Sequence, residues 1–221
     1  MKTKNLKTDT IISYMTLRRL IGILGMALPF IVVIGGFINN CDCGVQDSVS
    51  LYYYTNMKDF FIGLMFAVGL FLTTYKGHDN DHIFMILSGV FALGIAVFPT
   101  SMDPTSYEKV GIFGICDYYS MWIHLSFASL YFLTLAYISF FLFTKTDQKK
   151  LKRRKRTRNR IYRICGIIMA ASMLLIFIYF LFLQETWISC YKPVLILEAV
   201  ALIAFGYSWL IKGETFFKDK K

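Results

Sequence analysis

Six apolar blocks set the terms for any fold of this chain. They run at about 20–38, 56–75, 83–98, 120–143, 161–183 and 193–211. A spanning helix needs about 20 predominantly apolar residues. Inside hydrocarbon only a helix or a closed barrel satisfies its own backbone. Of 221 residues, 56% are hydrophobic and 17% charged, against about half and about a quarter in a soluble domain. Disordered chain, collagen and a small disulfide scaffold are excluded on the same ground. The expectation is an all-α integral membrane bundle of six transmembrane helices over residues 17–214. A short segment, 1–16, precedes it and a tail, 215–221, follows.

The first block follows Lys2, Lys4, Lys7, Arg18 and Arg19. It has spanning length and no Ala-x-Ala site after it, so it reads as a retained helix rather than a signal peptide. Pro29 should kink it. Pro99 ends the third block, and Pro193 suits the first turn of the sixth helix.

Charge fixes the orientation. Of 24 Lys and Arg residues, 21 fall on one side if the loops alternate; only Lys58, Lys109 and Lys192 fall on the other. The positive-inside rule then puts both termini in the cytoplasm. The basic loop 144–160, with Lys149-Lys150-Leu151-Lys152-Arg153-Arg154-Lys155-Arg156, reads as an anchor at anionic headgroups. No nucleic-acid partner is expected, and membrane lipid is. Four cysteines, Cys41, Cys43, Cys116 and Cys190, fall outside under this topology, where disulfides persist. Cys41 and Cys43 are expected to pair with Cys116 and Cys190, with unpaired thiols or a Cys-x-Cys metal clip as rivals.

Ionisable groups at membrane depth are costly and default to functional candidates. His124 and Glu198 each lie about five residues in from the outer ends of helices four and six, roughly 7 Å deep at 1.5 Å per residue. Asp59 sits at the outer end of helix two, after Ser48, Ser50 and the Tyr52-Tyr53-Tyr54 cluster. These define an outward-facing polar pocket. His124 would act as a general base oriented by Glu198 or Asp59, with Ser50 as nucleophile. The rival reading is a satisfied network joining helices two, four and six. His78 and His82 have i, i+4 spacing, but the membrane separates them from His124. Alone with Asp79 and Asp81 they read as a polar hairpin turn, so no metal is expected. Walker, dinucleotide and haem-attachment motifs are missing, and no cofactor is expected.

Several strings together resemble an uncharacterised family of bacterial six-pass integral membrane proteins. They are Ser50-Leu-Tyr-Tyr-Tyr-Thr-Asn-Met-Lys-Asp59-Phe-Phe-Ile-Gly63, Tyr75-Lys-Gly77 with Asp79, Val97-Phe-Pro-Thr100, the His124 region, and Glu198 with Ser208-Trp-Leu-Ile-Lys-Gly-Glu214. The resemblance covers about residues 17–214 and implies a multi-pass protein of the bacterial cytoplasmic (inner) membrane, with no activity attached. A distant analogy links the polar cluster to alkaline-ceramidase-type multi-pass hydrolases, although this chain lacks a His pair in its last helix. The leading expectation is a pocket that binds, senses or modifies a lipid or other amphiphile, as a hydrolase or lipid-modifying enzyme if it is one at all. The alternatives are a small homo-oligomeric channel or proton-linked carrier, and a scaffold whose protein partner docks on loop 145–160.

Overall fold

The computed structural model describes residues 14–39, 44–75, 81–103, 105–145 and 153–216. They form six α-helices: α1 (Tyr14–Asn39), α2 (Lys58–Thr74), α3 (His82–Val97), α4 (Asp117–Tyr137), α5 (Arg153–Ile178) and α6 (Pro193–Lys212). One π-helical turn lengthens α4 (Ile138–Leu142) and another lengthens α5 (Tyr179–Leu183). Two 3-10 helices, Ser50–Tyr54 and Trp187–Tyr191, and a small hairpin of β1 (Lys109–Val110) with β2 (Ile115–Cys116) complete the connections.

Four helical stretches are long and apolar enough to cross a membrane: Tyr14–Ile38, Asp117–Leu142, Arg153–Leu183 and Pro193–Lys212. The other two, α2 and α3, are shorter, at 17 and 16 residues. Pro29 lies inside α1, and Pro193 takes the first turn of α6. Two helices start well before their apolar blocks. α1 begins at Tyr14 and α5 at Arg153, so much of the expected basic loop is helix. Lys and Arg are good helix formers, and their stems can lie along apolar surface while the charge reaches water.

Each helix packs on its neighbour in sequence, and α6 packs back on α1, closing a ring. Glycines permit two of the closest crossings. A Cβ on Gly22 would lie 2.7 Å from the Gly206 carbonyl, and one on Gly89 would lie 2.6 Å from that of Gly69. Trp209, on the inner face of α6, is fully buried between Tyr75, Phe143 and Phe205. The outward surface carries Phe30, Ile34, Leu70, Val90, Leu133, Ile167, Leu174 and Ile196, all exposed.

The ring has two distinct ends. At the basic end, Arg18 donates from Nε to the Tyr75 hydroxyl (3.2 Å) and from Nη1 to the Lys212 carbonyl (3.3 Å). Arg19 Nε donates to the Gly213 carbonyl at 3.0 Å, and Lys145 pairs with Asp81 at 2.5 Å. The starts of α1 and α3 thus meet the ends of α2, α4 and α6. Successive helices run antiparallel, and the first and last described turns share this end. The hairpin and both 3-10 helices lie at the other, the lid end.

Candidate functional site

Two clasps organise the lid end. The first is a polar stripe on α4. Asp117, Ser120 and His124, at i, i+3 and i+7, share one face, and all three are buried. They meet the chain leaving α3. Ser101 donates its hydroxyl to Asp117 Oδ2. Ser120 Oγ donates to the Pro99 carbonyl at 2.8 Å. His124 Nδ1 lies 2.6 Å from the Phe98 carbonyl; a carbonyl only accepts, so Nδ1 carries the proton. The Ile95 backbone also faces the ring. The reason is local: a helix leaves its last carbonyls orphaned, and Pro99 lacks the N–H that would serve Ile95. Tyr54 joins from the lid, donating its hydroxyl to the Thr100 carbonyl at 2.5 Å, with Asp117 Oδ1 3.3 Å away. Burial first, and then the adjacent Asp117 carboxyl, push the Tyr54 phenol above its ordinary pKa.

The second clasp centres on Glu198. Its Oε2 accepts the Val49 N–H at 2.6 Å, and the Ser50 N–H also points at the carboxyl. Val49 caps the 3-10 helix Ser50–Tyr54 and offers no side-chain cap of its own. Glu198 therefore supplies from α6 the acceptor that this helix start needs. The same junction is tied twice more. Leu195 N–H donates to the Asp47 carbonyl at 3.0 Å. Lys192 contacts the Val45 carbonyl and pairs with Asp47 at 3.1 Å. Lys192 holds φ at 52°, a left-handed value uncommon for a residue with a side chain.

Between the clasps lies a small cavity of about 20 Å³. Its lining includes Ser50, Ile95, Tyr131, Glu198 and Leu202. It is polar on one side and holds at most one water. Ser50 and Tyr131 put their hydroxyl-bearing side chains on this lining, Ser50 8% and Tyr131 1% exposed. Tyr52 and Tyr53, both buried, form the body of the lid above. The Tyr52 hydroxyl accepts the Gln46 N–H at 3.5 Å.

The sequence-derived site residues therefore separate. Glu198 and Ser50 meet at the lid and cavity. His124 is buried on α4 and hydrogen-bonded to the end of α3, not to Glu198 or Ser50. Asp59 is exposed in the first turn of α2, where a carboxylate suits the helix dipole. Ser120 and Tyr131 were not singled out by the sequence. The signal was their spacing from His124, four residues before and seven after, on the same helical face. Cys116 and Cys190 are free thiols; Cys41 and Cys43, their expected partners, lie outside the described residues. So do His78 and Asp79. Among the described residues no cluster of three or more His, Cys, Asp or Glu side chains is placed to hold a metal.

No family model matches the chain, and neither a curated protein nor a solved structure matches it. Fold and site define a helical membrane protein with a lidded, half-buried carboxylate; its functional reading rests on that geometry.

Proposed function

We propose that this chain is a six-pass protein of a bacterial cytoplasmic membrane, with both termini cytoplasmic and the lid end facing outward. Its pocket receives the polar end of a lipid or other amphiphile when the lid lifts. The ring supports six passes: α2 and α3 are flanked by longer apolar helices and end at the same two levels. The positive-inside count supports the orientation.

The observation that carries the pocket is the Glu198 carboxyl, half-buried and lining the cavity, held by the backbone N–H of Val49 at the start of the lid. A 20 Å³ cavity excludes an amphiphile, so this is the shut state. A tail has a place nearby. A largely apolar, open groove of about 640 Å³ runs between α1, α2 and α6, lined by Ala27, Phe30, Ile34, Phe60 and Leu210. That volume suits a small-molecule site. The groove also reaches Met57, three residues beyond the lid. Head under the lid and tail in the groove would be one ligand.

A carrier finds less support. The hydroxyls of Thr134 and Ser208 bond carbonyls of their own helices, and that of Ser139 bonds the Tyr162 carbonyl. The ring beyond Tyr131 is filled by Phe205, Trp209 and Phe143.

The test is native mass spectrometry of the detergent-purified chain beside Ala27→Phe, which fills the groove. The wild type should carry an amphiphile that Ala27→Phe loses while still folding. A ligand-free wild type, or a ligand retained by Ala27→Phe, would overturn the reading.

A further inference from the structure

The carboxyl under the lid needs donors, and the shut lid supplies them. Glu198 Oε2 accepts the Val49 N–H at 2.6 Å, and the Ser50 N–H points at the same carboxyl. Both amides belong to the lid, so they leave together when it lifts. A half-buried carboxylate stripped of its donors is costly. A head that enters in their place must bring donors to Glu198. An acceptor-only head cannot do so.

Charge narrows the class further. Among the described residues lining the cavity none is Lys, Arg or His, and Glu198 is the one carboxyl. A phosphate or carboxylate head would meet like charge there, with no lining cation to offset it. The rim repeats the sign. The lid end has three basic residues, Lys58, Lys109 and Lys192. Lys192 pairs with Asp47, and Lys58 Nζ lies 4.4 Å from the centre of the Tyr53 ring. Against them stand Asp47, Asp59, Asp103, Glu108 and Glu185, all exposed. Such a rim draws cations in and turns anions away. The Lys58 contact also places an ammonium on an aromatic face of the lid itself, the geometry of a cation–π pair.

We infer that the ligand of the lidded pocket is an amphiphile with a protonated amine head, whose N–H groups replace those of Val49 and Ser50 on Glu198. This rests on the pocket proposed above and adds the class of head it selects. An alkylammonium meets both requirements. It is charged at neutral pH, it brings several N–H donors, and its tail suits the groove between α1, α2 and α6.

The experiment uses the full chain in a short-chain neutral detergent. Dodecylamine, dodecyl glyceryl ether and monododecyl phosphate, which share one tail, are added in equal amounts. Native mass spectrometry reads which is retained. Wild type should retain the amine over either rival by at least about tenfold, the worth of one charge-assisted contact. Glu198→Gln keeps a carbonyl oxygen without the charge and should hold the amine and the ether equally. Glu108→Gln, exposed beside the hairpin, should keep the wild-type ranking. If Glu198→Gln fails to fold, the wild-type ranking alone decides. Ether or phosphate held as well as the amine by wild type would overturn the ammonium head. So would an amine preference that survives Glu198→Gln. In both cases the pocket itself stands if Ala27→Phe releases the bound probe. Retention of none of the three by wild type would overturn the pocket, and the ammonium head with it.

Discussion

Glu198 on α6 accepts the backbone N–H of Val49 at 2.6 Å, across 149 residues of chain. One side chain thereby fastens the start of the lid to the last helix. Glu198→Leu removes the acceptor and leaves the Val49 and Ser50 amides without it. An unsatisfied buried group costs about 1–3 kcal/mol. The expected outcome is hydrogen exchange at Val49 and Ser50 faster by roughly tenfold or more. Glu198→Gln, which keeps a carbonyl oxygen, should lie between. Unchanged exchange in Glu198→Leu would mean that the lid is held elsewhere.

His124 serves the end of α3, where Pro99 withholds an N–H. His124→Ala should lower stability by about 1–3 kcal/mol by orphaning the Phe98 carbonyl. His124→Asn can place a donor near Nδ1 and should recover part of that loss. Thermal melts in detergent check both. The expected order is wild type, then Asn, then Ala. If Asn melts with wild type yet loses ligand, His124 acts on the ligand and not only on the fold.

This distribution of roles marks what the sequence could convey. The apolar blocks located all six helices because hydrophobic length is a local property. Pro193 marked the start of α6 for the same reason. The early start of α5 was masked because Lys and Arg suit a loop and a helix equally. Depth and type singled out Glu198 and His124, but the groups they bond are backbone atoms of Val49 and Phe98. Backbone partners have no residue type to read, so the lid clasp and the α3 clasp were not legible. Asp59 shows the converse: a carboxylate near the right level sits on the exposed face of its helix, and spacing from Glu198 in another helix could not reveal that.

The α1–α6 crossing depends on a pair of glycines. A Cβ on Gly206 would collide with the Gly22 carbonyl and lie 2.7 Å from Met26 Cβ. Neither glycine has a small residue four positions away on its own helix, so no small-xxx-small pattern announced the contact. Gly166, which had such a pattern with Ala170, does pack closely, its Cβ position 2.9 Å from the Ala136 carbonyl. Gly206→Ala should destabilise by about 1–3 kcal/mol, the range for forced overpacking. Gly63→Ala, with open space at its Cβ, should be neutral or slightly stabilising. Equal melting temperatures for the two variants would contradict the crossing.

Tyr54 gives the lid end an alkaline limit. Burial and the Asp117 carboxyl both disfavour the phenolate, so the folded pKa lies above the unfolded one. A group raised in this direction contributes stability below its unfolded pKa, about 10 for tyrosine. That contribution is lost as pH rises from there through the folded value. Tyr54→Phe should cost about 1 kcal/mol at neutral pH, through the lost bond to Thr100. It should also flatten the fall in stability above about pH 10. Parallel melts across that window compare the two chains, and the other tyrosines cancel in the difference. An equally steep alkaline fall in Tyr54→Phe would remove Tyr54 from the account.

Cys190 can report the orientation of the whole ring. It is an exposed free thiol in the 3-10 helix before α6, whereas Cys165 is buried within α5. In a chain whose other four cysteines are replaced by serine, a membrane-impermeant maleimide should label Cys190 in intact cells. A chain keeping only Cys165 should stay unlabelled before and after lysis, because burial withholds the thiol whichever side faces out. A third chain, with its only cysteine at exposed Arg156, should label after lysis alone. Labelling of Arg156→Cys in intact cells, with Cys190 silent until lysis, would invert the topology. It would place the lidded carboxylate on the cytoplasmic side. Labelling of both in intact cells would mean that residues 156 and 190 lie on the same side, and α5 with its π-helical extension would then not cross. The 31-residue helical stretch Arg153–Leu183 contains a window apolar enough to cross a membrane and is longer than the roughly 20 residues a crossing needs, so the expected outcome is opposite sides.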